Sequence, residues 1–477
     1  MPPYPGFCGP TYQSQSRLAR FERCMNFYPE RIEVSNRQQV VLYPTPGVTS
    51  FATATEAPCR GVFAQAGRCF TVMGETLYEV STNGVLTSLG TVTADQNPAT
   101  FATNGDGGSE LFVTSGDKGY LYNLTTGVFS NPVNDVTQGG MVDGYFVALD
   151  QSTSTLKVSD LLDGTTWSGI GTLQRSAASD PWQALLVRDR KILLFGTETT
   201  ESIYNAGSNP FPFAPVPGVL IPYGIAAPFS AKSMGNSVLW LTQSKEGARQ
   251  VVAMSGYNVR RVSTHAVEYQ LSQYTSVSDA VAYTYQDQGH QFYVLNFPSA
   301  GATWVYDLAI GMWHERGSYN SAELKFGQWG PQYHCHFNNQ HLVGDSTTGT
   351  LYTMSIDVYT DTNGNGLHRQ RIPPTLRSDQ DRVLVNRFQL HCDVGIGLPS
   401  ATAQGYDPQV MMQVSRDGGL TWGYERWRSA GKIGEYLTRA QWWRCGSGRN
   451  VICAVMMSDP VPWRILDAII DVQPGMH

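Results

Sequence analysis

Short runs of apolar residues, separated by turn-forming residues, recur along most of the chain. They begin near residues 70, 111, 145, 191, 238, 292 and 341, at intervals of 34 to 54 residues. Most are followed by a Gly, Asn or Asp turn and by a second run that carries Tyr, Trp or Phe. Several short strands in each unit of about 40–50 residues match the repeat of a β-propeller blade. The pattern predicts a propeller-like body of six or seven irregular blades, and two irregular sandwiches with the same strand spacing are the alternative.

The two ends of the chain fall outside this repeat. Residues 1–50 are rich in Pro, Tyr and Arg and show little periodicity, so we expect an extended N-terminal arm with one strand at residues 39–43. The repeat breaks near residues 357–380, and alternation of apolar and polar residues returns after about residue 383. We therefore predict an all-β chain in three parts: the arm at 1–50, the β-propeller-like body at 51–365, and a smaller C-terminal domain of β-sandwich type at 366–477. The predicted strands of the C-terminal domain are residues 383–392, 410–415, 439–445 and 451–457.

The composition of the 477-residue chain agrees with strands and limits the class of partner. Charged residues make up 15% of the chain, against an ordinary share of about 25%. Residues 1–364 hold 20 basic and 29 acidic residues, and residues 365–477 hold 13 and 10, which together give the net charge of −6. No basic tract suited to a phosphate backbone is present, so tight DNA binding is not expected. Of the 33 basic residues 26 are Arg, whose planar guanidinium suits partly buried pairing at subunit contacts.

The cysteines and the absence of apolar tracts indicate the compartment. Eight cysteines show no C-x-x-C spacing, and a scattered set in a long chain is typical of buried thiols. Cys59 and Cys69 could also face each other across a hairpin. The segment Met-Pro-Pro-Tyr-Pro at the start resembles no signal peptide, and no run of about 18 apolar residues predicts a membrane span. We expect synthesis in a reducing cytoplasm.

One eight-residue pattern predicts a specific turn. The segment from Ser415 to Trp422 reads S-R-D-G-G-L-T-W and matches the Asp-box pattern S-x-D-x-G-x-T-W of sialidase-like propellers. The Asp417 carboxylate is expected to accept backbone N–H bonds in a tight hairpin, with Trp422 packed beneath. The box is a structural turn even in active enzymes, and this single copy lies outside the repeat. It therefore predicts a stable turn and does not by itself predict a glycosidase.

A second segment matches part of a calcium loop. The residues from Asp361 to Gly366 read D-T-N-G-N-G and supply oxygens at alternate positions. The twelfth position is Ile372, where such a loop requires a bidentate Glu. A hairpin turn explains the same Asn-Gly pairs. Sequence alone leaves calcium binding by this loop open, and we predict the plain turn.

Histidines at 334, 336 and 341 offer imidazoles near one another. On a strand, His334 and His336 share one face, and Cys335 points to the other. A zinc site needs a third ligand and usually a fourth, and Glu315, beside His314, is not placed near them by any motif. We therefore predict no metal site and no cofactor.

Motifs for covalent or phosphate chemistry were not found. The chain has no nucleophile elbow and no Cys/His signature, and the Gly-rich residues 104–108 lack the Lys and the following helix of a phosphate loop. A pair of glycosidase carboxylates cannot be recognised by spacing in an all-β chain, so that chemistry stays open. We predict no catalytic residue and no enzymatic activity.

An ordered series of segments, from about residue 10 to residue 470, carries a family resemblance. The segments are CMNFYPE (24–30), LYPTPG (42–47), LLFGTETTESIYNAG (193–207), AAP (226–228), STHAVE (263–268), AYTYQDQGHQFYVLNFP (282–298), TWVYDLAIGMWHERG (303–317), LVGDSTTGTLY (342–352), the Asp box, GEY (434–436), WR (443–444) and SDP (458–460). In this order they resemble the podovirus packaged DNA stabilization proteins, the tail hub or nozzle proteins of short-tailed phages.

The resemblance implies a structural, non-enzymatic virion component with a propeller-like body, made in the host cytoplasm and located in the phage tail. Such proteins form a hexameric ring below the portal and its adaptor, continue the DNA channel, retain the packaged genome and dock tail fibres or spikes. The implied partners are five further copies, the portal or adaptor protein, the fibres or spikes, and double-stranded DNA that passes without tight binding. No membrane anchoring is implied. A sialidase-like carbohydrate-active or glycan-binding propeller is the alternative, and a propeller scaffold for protein interactions is a third.

Overall fold

The regular secondary structure of the chain is almost entirely β-strand. The computed structural model describes residues 2–34, 37–175, 177–209, 211–378 and 381–475. Within these ranges there are 41 strands and two short helices. The predicted all-β class is confirmed.

The first five strands belong to two different parts of the molecule. They are β1 (Tyr12–Gln13), β2 (Phe21–Met25), β3 (Phe27–Val34), β4 (Arg37–Pro44) and β5 (Gly47–Thr53). The prediction of one strand at residues 39–43 was therefore wrong in number. In β2, four of the five residues are buried, Glu22 among them. Because both faces are covered, β2 lacks the polar–apolar alternation by which a half-exposed strand is recognised.

Six groups of four consecutive antiparallel strands follow, and the first strand of each group lines the centre of the molecule. Helix α1 interrupts the second group, and helix α2 precedes the sixth. In chain order the elements are β6 (Cys59–Gln65), β7 (Arg68–Met73), β8 (Thr76–Val80), β9 (Leu86–Thr91); β10 (Thr100–Thr103), α1 (Gly105–Gly108), β11 (Glu110–Ser115), β12 (Lys118–Asn123), β13 (Phe129–Asn134); β14 (Gln138–Val142), β15 (Tyr145–Asp150), β16 (Thr155–Asp160), β17 (Asp163–Gln174); β18 (Trp182–Arg188), β19 (Lys191–Gly196), β20 (Thr200–Asn205), β21 (Phe213–Ile221); β22 (Lys232–Met234), β23 (Ser237–Gln243), β24 (Arg249–Ser255), β25 (Asn258–Arg261); α2 (His265–Gln273), β26 (Val281–Asp287), β27 (His290–Phe297), β28 (Ala302–Asp307) and β29 (Met312–Arg316).

A seventh blade joins the two ends of the repeat. After a small hairpin of β30 (Tyr319–Asn320) and β31 (Lys325–Phe326), it is built from β32 (Pro331–Phe337), β33 (Gln340–Asp345) and β34 (Thr350–Ser355). Its outermost strand is β5, which pairs antiparallel with β34 from Thr53 opposite Thr350 to Gly47 opposite Ser355. The N-terminal segment thus closes a ring of seven blades. The predicted range of six or seven blades included this number.

Each of the seven seams between neighbouring blades is filled by its own hydrophobic cluster. The apolar runs in the sequence are strands whose two faces both lie in such clusters. In β19, for example, five consecutive residues from Ile192 to Gly196 are buried. Burial on both faces explains why these strands appear as continuous apolar runs.

The rest of the chain completes a two-sheet sandwich. Its strands are β35 (Arg369–Ile372), β36 (Val383–Cys392), β37 (Gln409–Ser415), β38 (Arg426–Ser429), β39 (Ala440–Gly448), β40 (Ile452–Met457) and β41 (Ile465–Pro474). One sheet has the order β2-β35-β40-β37-β38, and the other has the order β3-β4-β41-β36-β39. The four predicted C-terminal strands are confirmed as β36, β37, β39 and β40. The core between the sheets includes Phe388, Trp442 and Trp463.

Strand β2 joins the sandwich to the propeller. It pairs in parallel with β29 of the sixth blade, Met25 opposite Glu315, and antiparallel with β35 of the sandwich. One sheet therefore runs continuously from a blade into the sandwich. The division of the chain at residues 50 and 365 stays a prediction, and the pairing shows that β2, β3 and β4 contribute to the sandwich while β5 contributes to the seventh blade.

Candidate functional surfaces

The seven innermost strands enclose a cavity of 460 Å³ at the centre of the propeller. Gln138 in β14 reaches across to two neighbouring segments: its amide oxygen accepts from Leu185 N at 2.7 Å, and its amide nitrogen donates to Pro228 O at 3.0 Å. Neighbouring inner strands also bond directly, as Gly139 N donates to Thr100 Oγ1 at 2.9 Å. A cavity of this volume accommodates a small molecule. A DNA duplex, whose major groove alone is about 12 Å wide, does not fit into a cavity of this volume.

The lining of this central cavity is almost uncharged. Lys232 at the start of β22 is the one charged residue among its lining residues, which include no carboxylate. Burial lowers the pKa of the Lys232 ammonium. Because a phosphate backbone is bound through many cations, this lining is unsuited to DNA.

The Asp box forms the predicted turn. Asp417 Oδ1 accepts from Leu420 N and Thr421 N, both at 3.0 Å, and Asp417 Oδ2 accepts from the Thr421 hydroxyl at 2.5 Å. Ser415 Oγ accepts from Gly419 N at 2.8 Å and donates to Asp417 Oδ1 at 2.8 Å. The Thr421 hydroxyl, followed by the Thr421 backbone N–H, lowers the pKa of Asp417 to about 2. Both oxygens of the Asp417 carboxylate therefore accept hydrogen bonds within their own turn, as expected of a structural Asp box.

The segment from Asp361 to Gly366 is a tight turn held by its first residue. Asp361 Oδ1 accepts from Asn363 N and Asn365 N, both at 2.9 Å. Thr360 and Gly366 form an isolated antiparallel bridge that closes the turn. The Asp361 side chain bonds its own backbone, as in an Asx-turn.

The three histidines come together on the β32–β33 hairpin. His334 Nε2 lies 2.9 Å from His341 Nδ1, and the rings of His336 and His341 are 5.4 Å apart. Burial, reinforced by His341 and His336, lowers the pKa of His334 to about 3. Cys335 is buried in the cluster between blades, as expected from strand alternation. In the part of the chain that the structure describes, no group of three or more His, Cys, Asp or Glu side chains is arranged to hold a metal ion.

The other residues considered in the sequence have structural partners. Asn104 precedes the four-residue helix α1, and its amide nitrogen donates to Glu110 Oε2 at 2.7 Å. Glu315 binds Arg23 at 2.5 Å and so fastens β2 to the sixth blade. His314 is fully buried, and burial followed by the nearby Arg316 charge lowers its pKa to about 3. These residues stay apart from the histidines of β32–β33 and form no common site.

Part of the arginine excess lies inside a single chain. Arg371 is fully buried and donates to the backbone oxygens of Phe7 at 2.5 Å and of Gly6 and Gly9 at 3.1 Å. It also pairs with Glu22 at 2.9 Å. Because a guanidinium has five N–H donors, it can satisfy the carbonyls of an irregular segment that no strand partners. Sequence reasoning assigned the arginines to subunit contacts and missed this role, for which local sequence holds no signal.

An exposed edge of the sandwich carries large apolar side chains. We call it the aromatic edge, and it consists of Tyr424, Trp427, Ile433, Tyr436, Leu437 and Trp443, which are 44% to 94% exposed. Tyr424 lies just before β38, Trp427 lies on β38 and Trp443 on β39, and the other three lie in the loop between these two strands, which are the outer strands of the two sheets. A concentration of exposed apolar side chains is typical of an interaction surface.

Four arginines accompany the aromatic edge, in two different environments. Arg426 donates to Trp443 O at 2.5 Å, and Arg428 donates to Gln441 O at 3.0 Å, so both connect β38 to β39. Arg439 and Arg444 are exposed and form no ion pair within the described ranges. The latter two are free to meet another molecule.

Sequence reasoning did not identify the aromatic edge. A usable signal was the adjacent pair Trp442 and Trp443. Neighbouring side chains of a strand point to opposite faces, so a pair of tryptophans places one outside the core. Trp442 is fully buried, whereas Trp443 is 50% exposed.

Comparisons with known proteins separate a propeller region from a sandwich region between residues 359 and 368. Residues 20–359 match a family model described as "Bacteriophage P22 Gp10, beta-propeller", and residues 368–473 match one described as "Bacteriophage P22 Gp10, beta-sandwich". A search of curated proteins found no match. In the described residues, no helix is long and apolar enough to cross a membrane.

Solved structures match parts of this chain at low identity. The extracellular domain of the putative one-component system BT4673 from B. thetaiotaomicron is 9% identical with a TM-score of 0.44, over 71% of this chain and 44% of that one. YCF48 from Cyanidioschyzon merolae is 9% identical with a TM-score of 0.39, over 64% of this chain and 98% of that one. The chain thus spans less than half the length of the first structure, and likenesses at this level say nothing about function.

Proposed function

The chain belongs to the bacteriophage P22 Gp10 family of packaged DNA stabilization or tail nozzle proteins, and from this premise we propose that it forms a ring of six copies in the phage tail. The family is one of structural tail proteins. In our proposal the ring lies below the portal and its adaptor, continues the DNA channel, retains the packaged genome and docks tail fibres or spikes.

The aromatic edge is the observation that carries the proposal of a ring. A ring joins two different surfaces of the same chain, and Trp, Tyr and Arg contribute most of the binding energy in many interfaces. The edge presents Trp427, Trp443 and Tyr436 together with the exposed Arg439 and Arg444. We propose that this edge packs against the neighbouring copy.

The narrow central cavity supports a channel between copies. A duplex cannot pass the inner strands, and Gln138 bonds across them. DNA that passes through the assembly would therefore run along the axis of the ring, outside each propeller.

Charge reversal at the aromatic edge tests the proposed ring. We expect the wild-type protein to assemble as roughly six copies, and the double variant Arg439→Glu/Arg444→Glu to fall to the 52.5 kDa monomer with an unchanged melting temperature. Mass photometry and thermal unfolding measure the two properties. The matched control is Arg260→Glu, an exposed arginine on the propeller strand β25.

A wild-type monomer would contradict the ring. A double variant that still assembles would contradict the assignment of the edge to the contact. Arg426 and Arg428 are less suitable for this test because their bonds to β39 hold the chain's own fold together.

Weak affinity for DNA is expected of the assembled ring. Residues 1–364 carry a balance of −9, so few phosphates would be neutralised and few counterions released. A gel-shift titration at about 50 mM salt, where electrostatic binding is strong, should show no sub-micromolar complex. Tight binding with a steep salt dependence would contradict the channel model and would indicate a DNA-binding surface lined by arginines.

We propose that the chain has no enzymatic activity of its own. The structural role of the family supports this, and the Asp box uses its carboxylate within its own turn. A sialidase-like activity would require a further set of acidic residues and arginines around a sugar, and no observation favours it.

A further inference from the structure

Two buried thiols face each other across the seam that closes the propeller. Cys69 lies on β7 of the first blade and Cys335 on β32 of the seventh, 266 residues apart in sequence. Their Sγ atoms are 3.9 Å apart. Cys69 is fully buried, and Cys335 is 8% exposed. The two thiols have no role in the proposed function, and they lie where the first and seventh blades meet.

This seam closes the ring of blades. Residues 54–58 link β5, the outer strand of the seventh blade, to β6 of the first blade, whereas β5 itself is held on β34 by strand pairing. The first and seventh blades also share a hydrophobic cluster, and Cys59 N donates to Thr348 O at 3.0 Å. A covalent bond at this seam would convert a closure by packing and hydrogen bonds into a closed covalent loop.

We propose that Cys69 and Cys335 form a disulfide when the folded protein meets a small two-electron oxidant. In this step both S–H bonds break, one S–S bond forms, and two electrons and two protons pass to the oxidant. A diazene such as diamide accepts them and becomes the corresponding hydrazine. The sulfur atoms must move from 3.9 Å to about 2.05 Å apart, and the proposal requires that rotation about the two Cα–Cβ bonds bring them together.

The nearby Cys59 is a weaker partner. Its Sγ lies 3.6 Å from the Thr71 hydroxyl and 3.8 Å from Gly61 O. On the strand pairing of β6 with β7, Cys69 stands opposite Ala64 and not opposite Cys59. The pairing of Cys59 with Cys69 that the sequence left open is thus not the arrangement of the hairpin.

The redox state of the pair would follow its surroundings. A reducing cytoplasm keeps thiols reduced, and an oxidising exterior favours the disulfide. Since Cys69 and burial raise the pKa of Cys335, oxidation is expected to be slow at neutral pH and faster in mild alkali. The proposal depends on the fold and not on the proposed role in the phage tail, so the two can fail separately.

Mass spectrometry of the oxidised full chain tests the proposal. The folded protein is incubated with excess diamide at about pH 8.5, near the pKa of a free thiol, then alkylated and digested without reduction. We expect a linked peptide pair that contains Cys69 and Cys335, and a melting temperature that rises by several degrees and returns on treatment with dithiothreitol. A bond that closes a loop of this length restricts the unfolded chain strongly.

Three variants complete the test. Cys59→Ser should keep both the linked peptides and the rise in melting temperature, whereas Cys69→Ser and Cys335→Ser should lose both. If either of the last two fails to fold, the linkage in the wild-type chain still decides the question. Exhaustive oxidation of the wild type that leaves both thiols alkylatable, or that links Cys59 to either of them, would overturn the proposal.

Discussion

At the scale of single residues, buried polar groups hold together segments that lack regular partners. Arg371 satisfies the carbonyls around residues 6–9, and Arg316 stacks over the Trp329 ring at 4.2 Å. Asp361 and Asp417 each accept several N–H donors of a turn. A carboxylate that accepts two or more N–H bonds is stabilised in its charged form. Removing such a carboxylate should therefore destabilise mainly the turn that it holds.

Asp417→Asn should lower the stability of the chain and make it less dependent on pH. Hydrogen bonds lower the pKa of Asp417 to about 2 from its ordinary value near 3.8. The ionised carboxylate therefore contributes stability above about pH 4, and this contribution is lost as the pH falls towards 2. We expect the free energy of unfolding of the variant to be about 1 kcal/mol lower than that of the wild type at pH 7. This difference should become smaller in acid.

Urea unfolding of both proteins at several pH values measures this difference. Asp106→Asn, at an exposed position in α1, is the control. It should change neither the free energy of unfolding nor its dependence on pH. A variant with unaltered stability but impaired assembly would show that the Asp box meets a partner.

At the scale of elements, closure of the propeller depends on a strand that is distant in sequence. Strand β5 completes the seventh blade, while β2, β3 and β4, which precede it directly, complete the sandwich. The first 53 residues therefore join both ends of the ring and both sheets of the sandwich. Removing them would leave two incomplete sheet systems with open edges, which are prone to aggregation.

Val48→Asp should open the seventh blade. Val48 is 1% exposed and stands opposite Met354 of β34, so the variant places an unpaired carboxylate in the cluster between blades. We expect the free energy of unfolding to fall by about 3 kcal/mol or more. Equilibrium unfolding in urea measures this change.

The neighbouring Thr49→Asp is the matched control, because Thr49 lies on the exposed face of the same strand. Thr49→Asp should lower the free energy of unfolding by no more than about 0.5 kcal/mol. Equal decreases in Val48→Asp and Thr49→Asp would mean that β5 is not an integral strand of the blade.

At the scale of the whole molecule, the interior holds neutral histidines and a central cavity with a single charged lining residue, Lys232. His314 lies on β29 of the sixth blade and His334 on β32 of the seventh. Burial lowers the pKa of each to about 3. An unfolded chain binds protons at both positions below about pH 6.5. The folded chain therefore binds fewer protons than the unfolded chain between about pH 6.5 and pH 3.

The molecule should accordingly lose stability as the pH falls through this window, because unfolding takes up protons. His314→Leu removes one of the two groups, and its stability should fall less between about pH 7 and pH 4.5 than that of the wild type. Urea midpoints at the two pH values measure the effect. The exposed His391 supplies the control variant His391→Leu, which should keep the wild-type pH dependence of stability. The same pH dependence in His314→Leu would refute the assignment.

The sequence by itself determined the features that depend on local pattern. The blade repeat, the four strands of the sandwich and the Asp-box turn follow from runs of apolar residues and from turn residues at fixed spacing, and all of them are present. The family resemblance was also readable from the sequence, because the order of the segments can be compared without knowledge of the contacts, and the family models match residues 20–359 and 368–473.

Only the tertiary structure decided which distant segments meet. The pairing of β5 with β34, the carbonyls around Arg371 and the contact of Cys69 with Cys335 join residues roughly 270 to 370 positions apart, and no local period encodes such a pairing. The aromatic edge is a similar case. Trp442 and Trp443 are adjacent residues of the same type, and they differ only in the face of the strand on which each side chain lies. Burial and long-range pairing are properties of the packed chain, and these properties position every surface for which a function is proposed here.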